Sequence, residues 1–183
     1  KGVANGKWHL LLMGEPGSGK TQTVVDTLNA VLKNKWVGIK GTSSGVGLYK
    51  FLYEHRKSKV IVIDDSDAIY GTPEAVEILK AAMDTKKVRK VSWMKQNVNL
   101  SSIGVPNSFE IKSQIILITN SNLEHDGNGR LLKAQKLMKP IVDRSMKLKT
   151  GLPNRHWELV YLKQLHKENK ILCFKEKKIP AKV

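Results

Sequence analysis

Residues 14–21 read Gly14-Glu15-Pro16-Gly17-Ser18-Gly19-Lys20-Thr21, the spacing G-x-x-x-x-G-K-T. These residue types at this spacing suit phosphate binding. Glycines let the backbone fold tightly, so successive N–H groups point into an anion-sized nest. A helical pattern opens at Lys20, and a helix N-terminus adds unpaired donors and the positive end of its dipole. Lys20 would reach the β- and γ-phosphates, and the Thr21 hydroxyl would ligate Mg²⁺. Glu15, Pro16, Gly17, Ser18, Gly19 and Gln22 complete the expected contacts.

Three other chemical groups follow apolar runs. Asp64-Asp65 comes directly after Val60-Ile61-Val62-Ile63. An aspartate there, with a phosphate loop upstream, is the expected Mg²⁺-side group, acting through water. Asp64 takes that role, and Asp65 stands where a carboxylate could orient or deprotonate an attacking water. Asp67 reads as a local cap. Asn120 follows Ile115–Thr119 and could hydrogen-bond the γ-phosphate or that water, or merely form an Asx turn. Thr119 and Asn122 are lesser candidates for the same task. Arg144 offers a bidentate fork for phosphate oxygens, in its own site or a neighbour's, or else pairs with Asp143. Arg130 is second to it.

The elements that must position these groups alternate. Strands are expected at Trp8–Met13, Trp36–Ile39, Val60–Ile63, Gln114–Thr119 and Ser145–Lys149. Helices are expected from Gly19/Lys20 to Leu32, Val46 to His55, Thr72 to Thr85 and Leu131 to Met138, where Pro140 interrupts. Thr72 should supply a capping hydroxyl before Pro73. Residues 88–111 read as a hairpin-like excursion with a long loop. Its basic–apolar alternation suggests one solvated face. A last helix near 155–168 and a strand or tail at Ile171–Phe174 follow. Buried β-branched strands alternating with helices imply an α/β fold: a three-layer αβα sandwich on a mainly parallel sheet. Ligands in such folds sit beyond the carboxyl ends of the strands, where all these candidates fall.

The 183 residues suit one domain with a small appendage: a core over 1–152, then a partial helical lid and basic tail over 153–183. Both ends look abrupt, as in a fragment of a longer protein. No segment approaches the length of a membrane span, and one cysteine, Cys173, excludes an internal disulfide and a multi-cysteine metal site. A cytoplasmic or nuclear location is expected. The net charge of +16, from 32 Lys+Arg against 16 Asp+Glu, favours a polyanionic partner, above all nucleic acid.

The motifs together resemble those of the AAA+ ATPase family. Residues 14–21 are similar to its Walker A motif, and Val60–Asp65 to its Walker B. Ile115–Asn120 resembles the sensor 1 strand, and Pro140–Arg144 the segment carrying an arginine finger. The resemblance spans about residues 8–150. It implies a Mg²⁺-dependent ATPase, with Lys20, Asp65, Asn120 and Arg144 in catalytic roles and Thr21 and Asp64 toward the metal. Asp65 departs from the family's usual glutamate. No sensor 2 arginine is evident, the lid is reduced to about one helix, and the N-terminal segment that packs near adenine is absent or very short; truncation, or a minimal viral or phage version, would account for all three. Such proteins usually form rings, most often hexamers, which places Arg144 in a neighbour's site. In some branches a hairpin before sensor 1 grips DNA. Here Lys86, Lys87, Arg89, Lys90 and Lys95 surround Trp93, which could stack on a base or pack in the core. The expected function is an ATP-driven motor on nucleic acid, DNA before RNA: a helicase, translocase or replication-initiation ATPase. The alternatives are a protein remodeller, with Tyr70-Gly71 in a pore loop, and a nucleotide-dependent assembly module.

Overall fold

A computed structural model describes residues 8–33, 35–41, 44–65, 69, 72–93, 100–121, 123, 133–150, 163 and 167. The strands are β1 (His9–Gly14), β2 (Trp36–Lys40), β3 (Val60–Asp64), β4 (Arg89–Ser92), β5 (Ser108–Ile111), β6 (Gln114–Thr119) and β7 (Ser145–Thr150). The helices are α1 (Lys20–Leu32), α2 (Gly45–Glu54), α3 (Pro73–Ala82) and α4 (Lys133–Asp143). Five strands form one parallel sheet in the order β2-β3-β6-β1-β7, and β4 and β5 form a separate antiparallel pair. The architecture is α/β, with a mostly parallel central sheet and helices packed around it.

The alternation of strand side chains explains the layers. Leu10, Leu12, Val60, Val62, Ile116 and Ile118 point to one face, which α1 covers with Val24, Leu28 and Leu32. Leu11, Met13, Ile61, Ile63, Ile115 and Leu117 point to the other, under α2, α3, α4 and the β4–β5 hairpin. β3 and β6 are buried along their whole length, as their unbroken apolar runs require. No helix among the described residues is long and apolar enough to cross a membrane.

Several local expectations change. α4 runs through Pro140 rather than stopping before it. A proline inside a helix costs about 3 kcal/mol. Met138, Ile141 and Val142 are buried around it, each burial contributing about 1.5–3 kcal/mol, so packing wins. α3 ends at Ala82, about a turn early, and Thr72 occupies its N-cap without a side-chain cap bond. β4 is only four residues long. The helix expected near 155–168 lies outside the described residues, apart from 163 and 167, as does the strand at 171–174.

His9 opens β1 and is 1% exposed. Its Nδ1 accepts the Ile115 N–H at 3.0 Å, so a side chain completes the ladder where β6 begins. Burial, then the charge of Arg89, push its pKa from 6.5 down to about 3. Between those values the unfolded chain binds more protons. Stability therefore falls as pH drops through that window, by up to about 1.4 kcal/mol per pH unit. In His9→Asn the amide oxygen can still accept from Ile115. The expected outcome is a urea midpoint that declines less between pH 7 and 4 than in the parent chain. Equal declines would show that His9 contributes nothing to acid sensitivity.

Candidate functional site

The carboxyl ends of β1, β6 and β3 lie side by side. Met13 is in register with Thr119, and Asp64 with Ile118, so Gly14, Asn120 and Asp64 emerge at one edge. From Gly14 the chain turns through the glycine-rich loop into α1. Gly17 and Gly19 have φ of 76° and 80°, in the left-handed region that favours glycine. Gly19 is the N-cap of α1, with no side-chain cap bond and no acidic residue in the first turn. The first amides of α1 thus lack a side-chain acceptor, and the dipole's positive end is not neutralised.

Lys20 is only 5% exposed. Its ammonium donates to the Gly14 carbonyl at 2.8 Å, the Glu15 carbonyl at 2.7 Å and the Asn120 Oδ1 at 2.9 Å, with Ser18 Oγ at 3.4 Å. One cation therefore pins the loop to β6. Thr21 Oγ1 donates to Asp64 Oδ2 at 2.9 Å. The other Asp64 oxygen, Oδ1, is buried without a hydrogen-bond partner. A buried carboxylate oxygen with nothing donating to it is costly unless a cation approaches. The hydroxyl–carboxylate pair is the hard-oxygen donor set that Mg²⁺ takes, and no group of three or more His, Cys, Asp or Glu among the described residues offers another metal site.

Asp65 has φ of 49°, one of two non-glycine residues in the left-handed region among those described. That turn sends its carboxylate back over the strand ends, where Asn120 Nδ2 donates to Oδ1 at 2.9 Å. Asn120 thus binds Lys20 through its oxygen and Asp65 through its nitrogen. The hydrogen-bond chain Lys20–Asn120–Asp65 spans the three strand ends.

Sequence reasoning missed two contributors. Lys40 ends β2 in register with Asp64. Its ammonium lies 3.5 Å from Asp65 Oδ2 and 3.9 Å from Asp64 Oδ2. Thr150 ends β7. Its hydroxyl lies 3.0 Å from Ser18 Oγ and donates to the Met13 carbonyl at 3.3 Å. Thr150, Lys149, Gly14, Glu15 and Asn120 line a cavity of about 160 Å³ beside the loop.

The other expected residues separate from this cluster. Arg144 precedes β7, while the loop lies at the strand's far end. Six residues at ~3.3 Å each put roughly 20 Å between them. Arg144 donates to the Lys80 carbonyl at 3.0 Å, in the last turn of α3. Gln22 turns its amide onto Asp26 Oδ1 at 2.7 Å on the exposed side of α1, leaving its backbone N–H as its contribution to the loop. Arg89 is less exposed than its basic neighbours. It shares a strand face with buried Val91, points inward, and donates to the Ala82 carbonyl at 2.8 Å. It is half-buried, whereas Lys86, Lys87 and Lys90 are exposed. Trp93 packs on Tyr49, with ring centroids 5.6 Å apart. Asp67, Tyr70, Gly71, Lys95, Asn122 and Arg130 lie outside the described residues.

No family model matches the chain. It is 32% identical over 156 residues to an uncharacterized 36.7 kDa protein from the nrdC-mobD intergenic region of Enterobacteria phage T4. The match takes in 82% of this chain and 47% of that protein, so the chain spans about half the length of this curated relative. Among solved structures, NtrX from Brucella abortus is similar with a TM-score of 0.48 and 16% identity, over 96% of this chain and 40% of that one.

The close approach of β7 makes the loop's first glycine testable. A Cβ on Gly14 would stand 1.5 Å from Thr150 Oγ1 and 2.8 Å from Thr150 Cβ. Gly14→Ala should lower the melting temperature by several degrees, an overpacking cost of ~1–3 kcal/mol. Adding Thr150→Gly should restore part of it. A double variant no more stable than Gly14→Ala alone would show that the two residues do not oppose each other.

Proposed function

We propose that this chain binds and hydrolyses a nucleoside triphosphate, ATP before others, as an AAA+-type ATPase. The observation that carries this reading is the convergence of Lys20, the Thr21–Asp64 pair and the Asn120–Asp65 pair on the open N-terminus of α1. The triphosphate would take the acceptor places now held by the loop carbonyls around the Lys20 ammonium. The amides of the loop and of the first turn of α1 would bind its oxygens. Thr21 and Asp64 would hold Mg²⁺, which when bound offsets phosphate charge. Asp65 would accept a proton from water, and Asn120 would keep that carboxylate and the Lys20 ammonium in fixed relation.

Arg144 is too far to serve its own loop; by the family resemblance it would act in the site of a second copy, in a ring. The excess of cations and the exposed Lys86, Lys87 and Lys90 support a nucleic acid, DNA before RNA, as the partner on which hydrolysis acts. Similarity to a phage protein supports a viral setting. The helicase, translocase and initiation readings share this chemistry. One observation favours a second reading: the Lys40 ammonium already lies 3.5 Å from Asp65 Oδ2, so that carboxylate has a partner before any water arrives. Slow turnover, with nucleotide serving assembly, fits that pairing.

Phosphate release measured with and without single- and double-stranded DNA, beside sizing with nucleotide, decides between them. Lys20→Ala should weaken ATP binding about 10- to 100-fold, since charge-assisted hydrogen bonds contribute ~1.5–3 kcal/mol each. Asp64→Asn should abolish the Mg²⁺ dependence of what binding remains. Unchanged ATP affinity in Lys20→Ala would end the nucleotide reading. On the DNA side, replacing Lys86, Lys87 and Lys90 by Gln should flatten the plot of log affinity against log salt by about 0.7–0.9 per lysine. An unaltered slope would remove the hairpin from the interface.

A further inference from the structure

The end of the sheet opposite the phosphate loop carries a cavity of about 250 Å³ beside β1, β4 and β5. Four cations line it, Lys86, Lys87, Arg89 and Lys112, against two acids, Asp84 and Glu110. Glu110 faces Lys90 across the hairpin, and Asp84 lies 3.9 Å from Lys86. Arg89, Lys87 and Lys112 are left as the positive excess.

Inside, two donors meet. His9 Nδ1 accepts from the Ile115 N–H, so the neutral ring carries its hydrogen on Nε2. A terminal nitrogen of Arg89 stands 3.1 Å from that Nε2, and a guanidinium can only donate. Arg89 also donates to the Ala82 carbonyl. Among the described residues no carboxylate lies within ion-pairing distance of it; burial works against its charge, and the more distant Asp84 offsets only part of that. A half-buried cation facing a second donor lacks an acceptor that both can use.

We propose that this cavity is an oxyanion site, distinct from the phosphate loop, in which a phosphate group accepts from the His9 Nε2–H and the Arg89 guanidinium while Lys87 and Lys112 stand at its mouth. A tetrahedral oxyanion carries enough acceptor oxygens to take both donors at once. With liquid water at about 30 Å³ per molecule, the cavity holds such a group and several waters. The phosphate could be free or belong to a nucleic acid backbone, and the chemistry at His9 and Arg89 is the same. The site does not depend on the nucleotide reading.

The test follows the His9 imidazole N–H resonance in a Lys20→Ala chain, which uncouples it from the phosphate loop. Inorganic phosphate should move that resonance saturably, with a dissociation constant of ~1–10 mM, as expected for a few charge-assisted bonds in partial solvent. Arg89→Lys should weaken the effect about 10-fold by removing the planar fork. Lys87→Gln with Lys112→Gln, both exposed and safe for folding, should weaken it several-fold. If a single-stranded oligothymidylate moves the same resonance at lower concentration, and phosphate competes, the source is the nucleic acid backbone. If only inorganic phosphate does so, the source is free phosphate. No saturable movement in a folded chain, or one affinity across all variants, overturns the proposal.

Discussion

Parallel pairing of β3, β6 and β1 is the constraint on which the site rests. In a parallel sheet all strands run out at the same edge, and the right-handed twist fans their ends around a shallow crevice. The register then fixes which residues emerge together. Sliding β6 by one residue would exchange its inward and outward faces, and both are buried. Asn120 therefore cannot drift relative to Gly14 or Asp64 without disrupting two layers of core. The polar chain across the three strand ends inherits its precision from apolar packing beneath it.

The same layering sets the division of labour between helices. Among the described residues α1 alone covers one face, and Val24 and Leu28 hold it there just beyond its first turn. Thr21 and Lys20 are placed by that packing. On the other face, α3 ends beneath two arginines. Arg144 and Arg89 donate to the Lys80 and Ala82 carbonyls, groups at a helix C-terminus that have no acceptor role left within the helix. Residues that look in the sequence like free phosphate ligands are in the structure also helix caps.

Much of the site was legible because its residues follow long apolar runs. Val60–Ile63 and Ile115–Thr119, short and β-branched, read as buried strands, so the polar residues after them were expected at the carboxyl edge of the sheet. Lys40 was not legible. It is one of 32 Lys and Arg, and only the β2–β3 register shows it opposite Asp64. Thr150 was hidden for a similar reason: its importance comes from a contact with Ser18, 132 positions away. The half-burial of Arg89 was not legible, because a basic–apolar alternation does not reveal which parity faces the core. Its position two residues before Val91 is the signal that does. Pro140 misled because propensity was weighed without the three apolar side chains that hold the turn around it.

The left-handed backbone at Asp65 bears on the choice of acid there. Asparagine and aspartate enter that conformation more readily than longer side chains, because a short polar group can satisfy nearby amides. A glutamate would gain reach toward a water but would strain the turn, and its extra methylene would carry the carboxylate past Asn120. The main chain itself therefore favours the shorter acid, and the reach of the carboxylate at this edge is set by a dihedral angle.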